Sequence, residues 1–315
     1  MSAVLHADLP RVVCFGEALT ELARTGADTW RSSSGGSPWR VAVALSALGQ
    51  LSAFAGAIGR DPFGEEIWRA SRDAHLDLRF IQQLPRPSLL ALAAEPGGAQ
   101  SLLIGQDSAD LHFRPEGLPA GWTRALRWAH FGGLGLVREP LAGRLQALAQ
   151  ALKAEGRRVS YAPRFCAPWM DVRYDDTLAL MCGLADVIHV SEHDLRGLFR
   201  VPDARSGLAQ IAAWNPRAWL LLTRGGAEAT LYHGEVECSA RTPQGAGVDG
   251  AGVDDAALAG LLDSLMREPD AAPAQHLRWA LAAGAAACTD HGFAPPPDTL
   301  VAALAAGVNV AERAA

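Results

Sequence analysis

Apolar positions along the chain alternate between short continuous runs and longer periodic ones. Residues 12–19, VVCFGEAL, form an apolar run containing a glycine and predict a buried strand. A polar stretch follows, and then Gly35-Gly36-Ser37-Pro38 leads into residues 41–48, whose spacing predicts a helix packed on a sheet. Residues 52–59 predict the next strand, and Pro62 opens an amphipathic helix that runs to about residue 76. This β-α-β-α succession is the pattern of a parallel sheet covered by helices. The rhythm breaks at residues 89–95 and 99–104, two strand-like runs joined by Pro96-Gly97-Gly98, which predict an inserted hairpin. Beyond it come strands at 128–132, 159–162, 187–190 and 218–223, a helix at 140–155 and a second hairpin at 229–238. The last third has helical periodicity at 256–266, 277–287 and 300–305. Without an internal repeat or a low-complexity linker, residues 1–315 are expected to form one α/β domain.

Composition narrows the class. Of the 315 residues, 49% are hydrophobic and 20% charged, which suits a folded globular protein and neither a disordered chain nor a membrane span. A formal charge of -6 argues against a broad nucleic-acid surface, which needs clustered basic residues. Lys153 is the only lysine, so a Walker A loop and a protein-kinase site, each built around a phosphate-binding lysine, are excluded. Cys14, Cys166, Cys182, Cys238 and Cys288 lack the paired spacing of a zinc or redox site and read as free thiols in a reducing cytoplasm. The start of the chain carries no export signal pattern, and no membrane partner is expected.

The segment richest in chemistry is VDGAGVDDAALAGLL, residues 248–262: a glycine-rich turn, an acidic pair and then a helix. Small residues at Gly250, Ala251 and Gly252 let backbone N–H groups approach a ligand, and the opening of the helix favours an anion. A carboxylate at the mouth of such a cradle can accept the proton of an attacking hydroxyl, which phosphoryl transfer to an alcohol requires. An aspartate capping an ordinary helix after a glycine turn explains the same residues. Gly245-x-Gly247-x-x-Gly250 also matches the dinucleotide fingerprint, but more loop follows it where that fingerprint opens a helix directly.

At this point the chain resembles a known family, the PfkB or ribokinase-like carbohydrate kinases, and within it the bacterial fructokinases. Gly16-Glu17-Ala18-Leu19 is similar to the opening strand of the family, residues 35–49 to its first signature, and Gly59-Arg60-Asp61-Pro62-Phe63-Gly64 to the turn that follows. Ala109-Asp110-Leu111, His130-Phe131-Gly132 and Ser191-Glu192-x-Asp194 fall in the order of the family, and residues 248–262 take the place of a second signature, usually VDTTGAGDAFVAGLL. The resemblance implies a three-layer sandwich with a parallel-rich central sheet and a small β lid, the lid formed by segments near 20–34 and 85–113. It implies transfer of the γ-phosphoryl group of Mg-ATP to a sugar hydroxyl, with Asp255 as base and Asp254 as the second candidate. Backbone N–H groups of Gly252, Val253 and Asp254 would form the anion hole. Glu21, Gly35, Gly36, Arg40 and Arg164 would meet the sugar, and Ser191, Asp194, Thr223 and Gly225 the nucleotide. Asp194 would act on Mg2+ indirectly, Asp249 would organise a K+ loop, and a homodimer joined through the lids is expected.

The departures from the family pattern fall on polar positions. Glu21 stands for an aspartate and Arg40 for an asparagine, and a guanidinium offers donors but no acceptor. In residues 161–166 the D-P-N-x-R stretch of the family has lost its three polar residues, Ser191 and Asp194 shorten an N-x-x-E pair, and Leu281 takes an adenine-side asparagine position. Asp254 replaces the last glycine of the GAGD cradle, with a backbone φ that the glycine tolerates more readily. A carboxylate about 4 Å from a phosphoryl charge, at an effective dielectric near 20, costs roughly 4 kcal/mol, or about a thousandfold in rate. These losses leave a second reading open, a sugar-binding module that kept the fold and lost the chemistry.

Overall fold

The computed structural model describes residues 8–93, 102–166, 170–243, 252–289 and 292–314. The first half holds strands β1 (Val12–Phe15), β2 (Leu19–Arg24), β3 (Trp30–Gly35), β4 (Ser52–Gly59), β5 (Ile81–Leu84), β6 (Leu90–Ala93), β7 (Leu102–Ile104) and β8 (Trp128–Gly132). The second half adds β9 (Arg158–Ala162), β10 (Val187–Ser191), β11 (Trp219–Arg224), β12 (Glu228–His233), β13 (Val236–Arg241), β14 (Cys288–Thr289), β15 (Gly292–Phe293) and β16 (Val310–Ala314). Helices α1 (Ser37–Ala47), α2 (Pro62–Asp73), α3 (Trp122–Ala125), α4 (Leu141–Ala154) and α5 (Asp175–Leu184) precede α6 (Glu192–Phe199), α7 (Ala204–Trp214), α8 (Val253–Arg267), α9 (Pro273–Ala287) and α10 (Asp298–Ala305).

The central sheet runs in the order β16-β13-β12-β11-β10-β9-β8-β1-β4-β5. From β11 to β5 every neighbour is parallel, and β12, β13 and β16 close one edge as antiparallel strands. Strand period explains the layers. Val12 and Cys14 of β1 join a core with α1, α8 and α9, whereas Val13 and Phe15 face the opposite core with α4, α5, α6 and α7. The fold is therefore the three-layer α/β sandwich with a parallel-rich sheet that the sequence predicts. A separate four-stranded sheet, β3-β2-β6-β7, forms the lid.

The structure corrects one strand. Residues 12–19 form two elements, because Gly16 adopts φ 147 and the chain turns out of the central sheet into the lid. A side chain there would strike Pro38 and the carbonyl of Gly132. The expected hairpin in the inserted region is present as β6 and β7, with its Pro96-Gly97-Gly98 turn outside the described residues. The segment from 105 to 113 leaves the lid and packs on the main body, where Leu111 and Phe113 are buried in the core with α4. Strands β5 and β16 and helices α5, α6 and α7 are additions that the apolar pattern does not predict.

One buried ion pair fastens the base of the lid. Arg138 and Asp110 side chains are 6% and 2% exposed, with Arg138 Nη1 2.5 Å from Asp110 Oδ2. Arg138 also donates to the Gly105 carbonyl and to Ser108 Oγ at 3.2 Å. Removing the cation leaves a carboxylate buried without its partner. Arg138→Met is expected to lower unfolding stability by about 3 to 5 kcal/mol, read as a lower urea midpoint with an unchanged slope.

Candidate active site

The second signature folds into the start of α8. Gly252 holds φ 91 and precedes the 15-residue helix, where no side chain caps the first turn. A Cβ at Gly252 would lie 2.5 Å from Phe293 and 2.9 Å from Arg40 Cδ, so both conformation and space demand glycine. Asp254 lies inside the helical first turn and outside the set of positive-φ residues, so the replacement of the cradle glycine introduces charge without left-handed strain. The N–H of Ala256 bonds back to the Gly252 carbonyl at 2.9 Å, which places Val253, Asp254 and Asp255 at the donor-rich end of the helix. Asp249 and the Gly245-x-Gly247-x-x-Gly250 match lie outside the described residues.

Asp255 is 2% exposed and sits among polar groups from α1 and from the loop after β9. Ser37 Oγ, at the start of α1, donates to Asp255 Oδ1 at 2.6 Å. Arg164 Nη1, on the loop after β9, reaches the same oxygen at 3.5 Å. Arg40 Nη1 lies 3.9 Å from Oδ2, which has no hydrogen-bond partner among the described residues. A buried carboxylate oxygen left open in this way marks a place for a donor that the described residues do not supply. Arg40 is itself fixed: its Nη2 donates to Glu21 Oε2 at 2.5 Å, and its guanidinium lies 5.9 Å from the centre of the Phe293 ring. Gly35 permits this pair, since a Cβ there would lie 2.8 Å from the Glu21 carboxyl carbon and 3.0 Å from Arg40 Nη2. Gly36, with φ 103, lets the chain pass against the Glu17 carbonyl and enter α1. Thus Glu21, Gly35, Gly36, Arg40, Arg164 and Asp255 share one corner beneath the lid.

The other predicted residues form a second group at the ends of β10 and β11. Ser191 and Asp194 make a reciprocal capping box on α6. Asp194 Oδ2 accepts the Ser191 N–H and hydroxyl at 2.8 and 2.7 Å, and Oδ1 accepts the Phe165 N–H at 2.7 Å. Both carboxylate oxygens therefore hold backbone in place. Thr223 Oγ1 pairs with His189 Nε2 at 3.2 Å, and Gly225 turns the chain with φ 57. Among the described residues, no group of three His, Cys, Asp or Glu side chains has the arrangement of a metal cage.

Residues 9–300 match the pfkB family carbohydrate kinases. The chain belongs to that family. A fructokinase of Klebsiella pneumoniae is 32% identical over 293 residues, 90% of this chain and 94% of the relative. The crystal structure of a Xylella fastidiosa fructokinase with bound ATP superposes with a TM-score of 0.83 at 25% identity, covering 94% of this chain and 98% of the other. A Vibrio cholerae fructokinase in its fructose, ADP and calcium ion bound form gives 0.81 at 26% identity, with coverage of 96% and 99%.

Within this pfkB kinase, sequence reasoning missed Ser37, Phe293 and Glu17. Ser37 and Phe293 act only through long-range contacts that spacing does not reveal. Glu17 is buried where β1 ends, accepts the Gly135 N–H at 3.0 Å, and fills the space that a side chain on Gly133 would need. Burial pushes its carboxyl up from 4.5 to about 8, reinforced by the nearby charge of Asp110. Burial likewise pushes His130, whose Nδ1 pairs with Ser160 Oγ at 3.0 Å, down to about 3, which keeps that strand-end histidine neutral. The raised Glu17 carboxyl holds a proton in the folded state that the unfolded chain has lost. Its contribution to stability is complete below about pH 4.5 and fades as pH rises to about 8. Glu17→Gln is expected to flatten the fall of Tm between those limits, read by thermal denaturation across that pH window.

Proposed function

We propose that this chain is an ATP-dependent sugar kinase that moves the γ-phosphoryl group of ATP onto a hydroxyl of a fructose-class sugar. The observation that carries the reading is the buried, open Oδ2 of Asp255 beside the uncapped start of α8. In this assignment the sugar lies against Gly35 and Gly36, under the lid, within reach of Glu21, Arg40 and Arg164. Its reacting hydroxyl donates to Asp255, which accepts the proton as the oxygen attacks phosphorus. Main-chain N–H groups of Gly252, Val253 and Asp254 face the transferred group in the manner of an oxyanion hole. Thr223 and Gly225 flank the nucleotide, and Ser191 with Asp194 hold the loop between the two substrates.

Magnesium fits this site as a passenger of the nucleotide. Mg2+ binds through substrate phosphates and one or two carboxylates, so the missing protein cage is no obstacle. Asp194 would serve it indirectly, through the backbone it holds. When bound, the ion would neutralise charge developing on the phosphates. A K+ loop organised by Asp249 is part of the same proposal. No helix among the described residues is long and apolar enough to cross a membrane. The described cysteines are all free, which supports a reducing, cytoplasmic setting. Exposed Trp30, Leu102 and Ile104 on the lid sheet support a homodimer formed through that surface.

A non-catalytic sugar-binding module would use the same open Asp255 oxygen, and it is the fructokinase relatives named above that favour the kinase over it. Release of ADP from Mg-ATP in the presence of fructose, set against ribose and phosphosugars, tests the reading. Turnover is expected with the wild-type chain, and Asp255→Asn is expected to lower kcat by about 10²- to 10⁴-fold while sugar binding persists. Full activity in Asp255→Asn would reject the base assignment, and wild-type protein inert toward every sugar tested would reject the kinase.

A further inference from the structure

The corner that receives the phosphoryl group is acidic, and one arginine is placed to change that. Asp255, Asp254, Asp194 and Glu21 all act electrostatically on Arg164, and together they hold its guanidinium protonated well above its ordinary range. Arg40 has the burial and contacts of a fixed group: its side chain is 5% exposed and paired with Glu21. Arg164 differs on each count. Its side chain is 41% exposed, and its hydrogen bond to Asp255 is long at 3.5 Å.

The backbone under Arg164 is held in an unfavourable shape. Its φ is 48, a left-handed value that a residue with a Cβ rarely adopts unless its surroundings enforce it. Helix α6 enforces it one residue later. Asp194 accepts the Phe165 N–H, the Phe165 ring meets His193 edge-on at 5.7 Å, and a Cβ on Gly197 would lie 2.2 Å from that ring. Strain maintained by three separate contacts on a partly exposed cation beside the base is the kind of feature that function retains.

We propose that Arg164 is a transferable cation that makes an acidic phosphoryl cradle workable, pairing with Asp255 in the empty site and moving to the terminal phosphoryl group when nucleotide binds. The inference rests on the kinase reading above and assigns a catalytic role to a residue placed there only on the sugar side. In the transfer step, the sugar hydroxyl gives its proton to Asp255 and its oxygen forms a bond to the γ-phosphorus. The bond from that phosphorus to the β–γ bridging oxygen breaks, and ADP leaves with that electron pair. Arg164 stays protonated throughout and offsets the charge of Asp254, which alone slows transfer by about a thousandfold if it stands at 4 Å.

The test is a double-mutant cycle on the full chain with Arg164→Ala, Asp254→Gly and both together, following ADP release with Mg-ATP and fructose. Arg164→Ala is expected to lower kcat/KM by about a hundredfold or more, and by about tenfold or less in the Asp254→Gly background, with partial, saturable recovery on adding guanidinium at low millimolar concentration. Binding supplies a second readout: Arg164→Ala should weaken a non-hydrolysable β,γ-imido ATP analogue at least about tenfold more than ADP. Should Arg164→Ala not fold, Arg164→Gln carries the same comparisons. Independent, multiplicative effects of the two substitutions, or an unchanged preference for the analogue over ADP, would overturn the inference while leaving wild-type turnover and the kinase reading intact. A wild-type chain without turnover defeats the kinase reading instead, and the analogue-to-ADP ratio then still decides whether Arg164 meets the terminal phosphoryl group.

Discussion

Burying Asp255 at the start of α8 is the constraint on which the rest of the site depends. A carboxylate at 2% exposure is tolerable only with compensation, and here it comes from the Ser37 hydroxyl, from Arg40 and Arg164, and from the positive end of a long helix. The side-chain partners come from two distant parts of the chain. Ser37 and Arg40 sit in the first turn of α1, more than 200 residues upstream, and Arg164 sits on the loop after β9. The parallel sheet brings them together, because the ends of β1 and β9 and the starts of α1 and α8 all open at the same edge of it. Glycine at 252 and 35 is the steric condition for this crowding, since Phe293, Arg40 and Glu21 occupy the space that side chains would take.

The same network ties the lid to Asp255. Glu21 lies on β2 of the lid, Arg40 on α1 of the body, and their partly buried ion pair lies beside Asp255. Any movement of the lid that pulls Glu21 away leaves Arg40 facing Asp255 alone, which strengthens its hold on that carboxylate. Lid position and the environment of Asp255 are thus coupled through one guanidinium. At the far end, Arg138 and Asp110 fix where the inserted segment rejoins the body, so the lid is anchored at one side and electrostatically linked at the other.

Much of the frame was legible because short buried strands announce themselves. Residues 52–59 and 128–132 were read end to end, and α4, α8 and α9 were placed to within a few residues from their apolar period. The failures have local causes. Gly16 splits one apolar run into two strands that belong to different sheets, and an apolar count does not register a change of backbone direction. Helix α6 is only eight residues long, and its best signal is the Ser191–Asp194 capping box, a polar pattern that points to a site as readily as to a helix start. Strand β16 is not legible because pairing with β13, rather than any alternation in its own sequence VAERA, makes it a strand. In the site, the family motifs located Asp255, Glu21, Arg40 and Arg164. Their mutual pairing was not legible, because it depends on rotamers and on residues such as Phe293 that carry no motif.

That pairing changes what the departures from the family pattern mean. Taken singly, Arg40 looks like the loss of an acceptor, since guanidinium only donates. Paired with Glu21 it becomes half of a donor–acceptor unit, with one carboxylate oxygen held and the other, Oε1, left to accept from a hydroxyl. A polyol can satisfy such a unit because each hydroxyl both donates and accepts, whereas a carboxylate or phosphate on the substrate would meet Glu21 and Asp255 as like charges. Near the reacting atoms, two arginines stand against Glu21, Asp254 and Asp255, so the corner already carries an excess of negative charge. Under the proposed function, neutral sugars are the acceptors that this arrangement admits at least electrostatic cost.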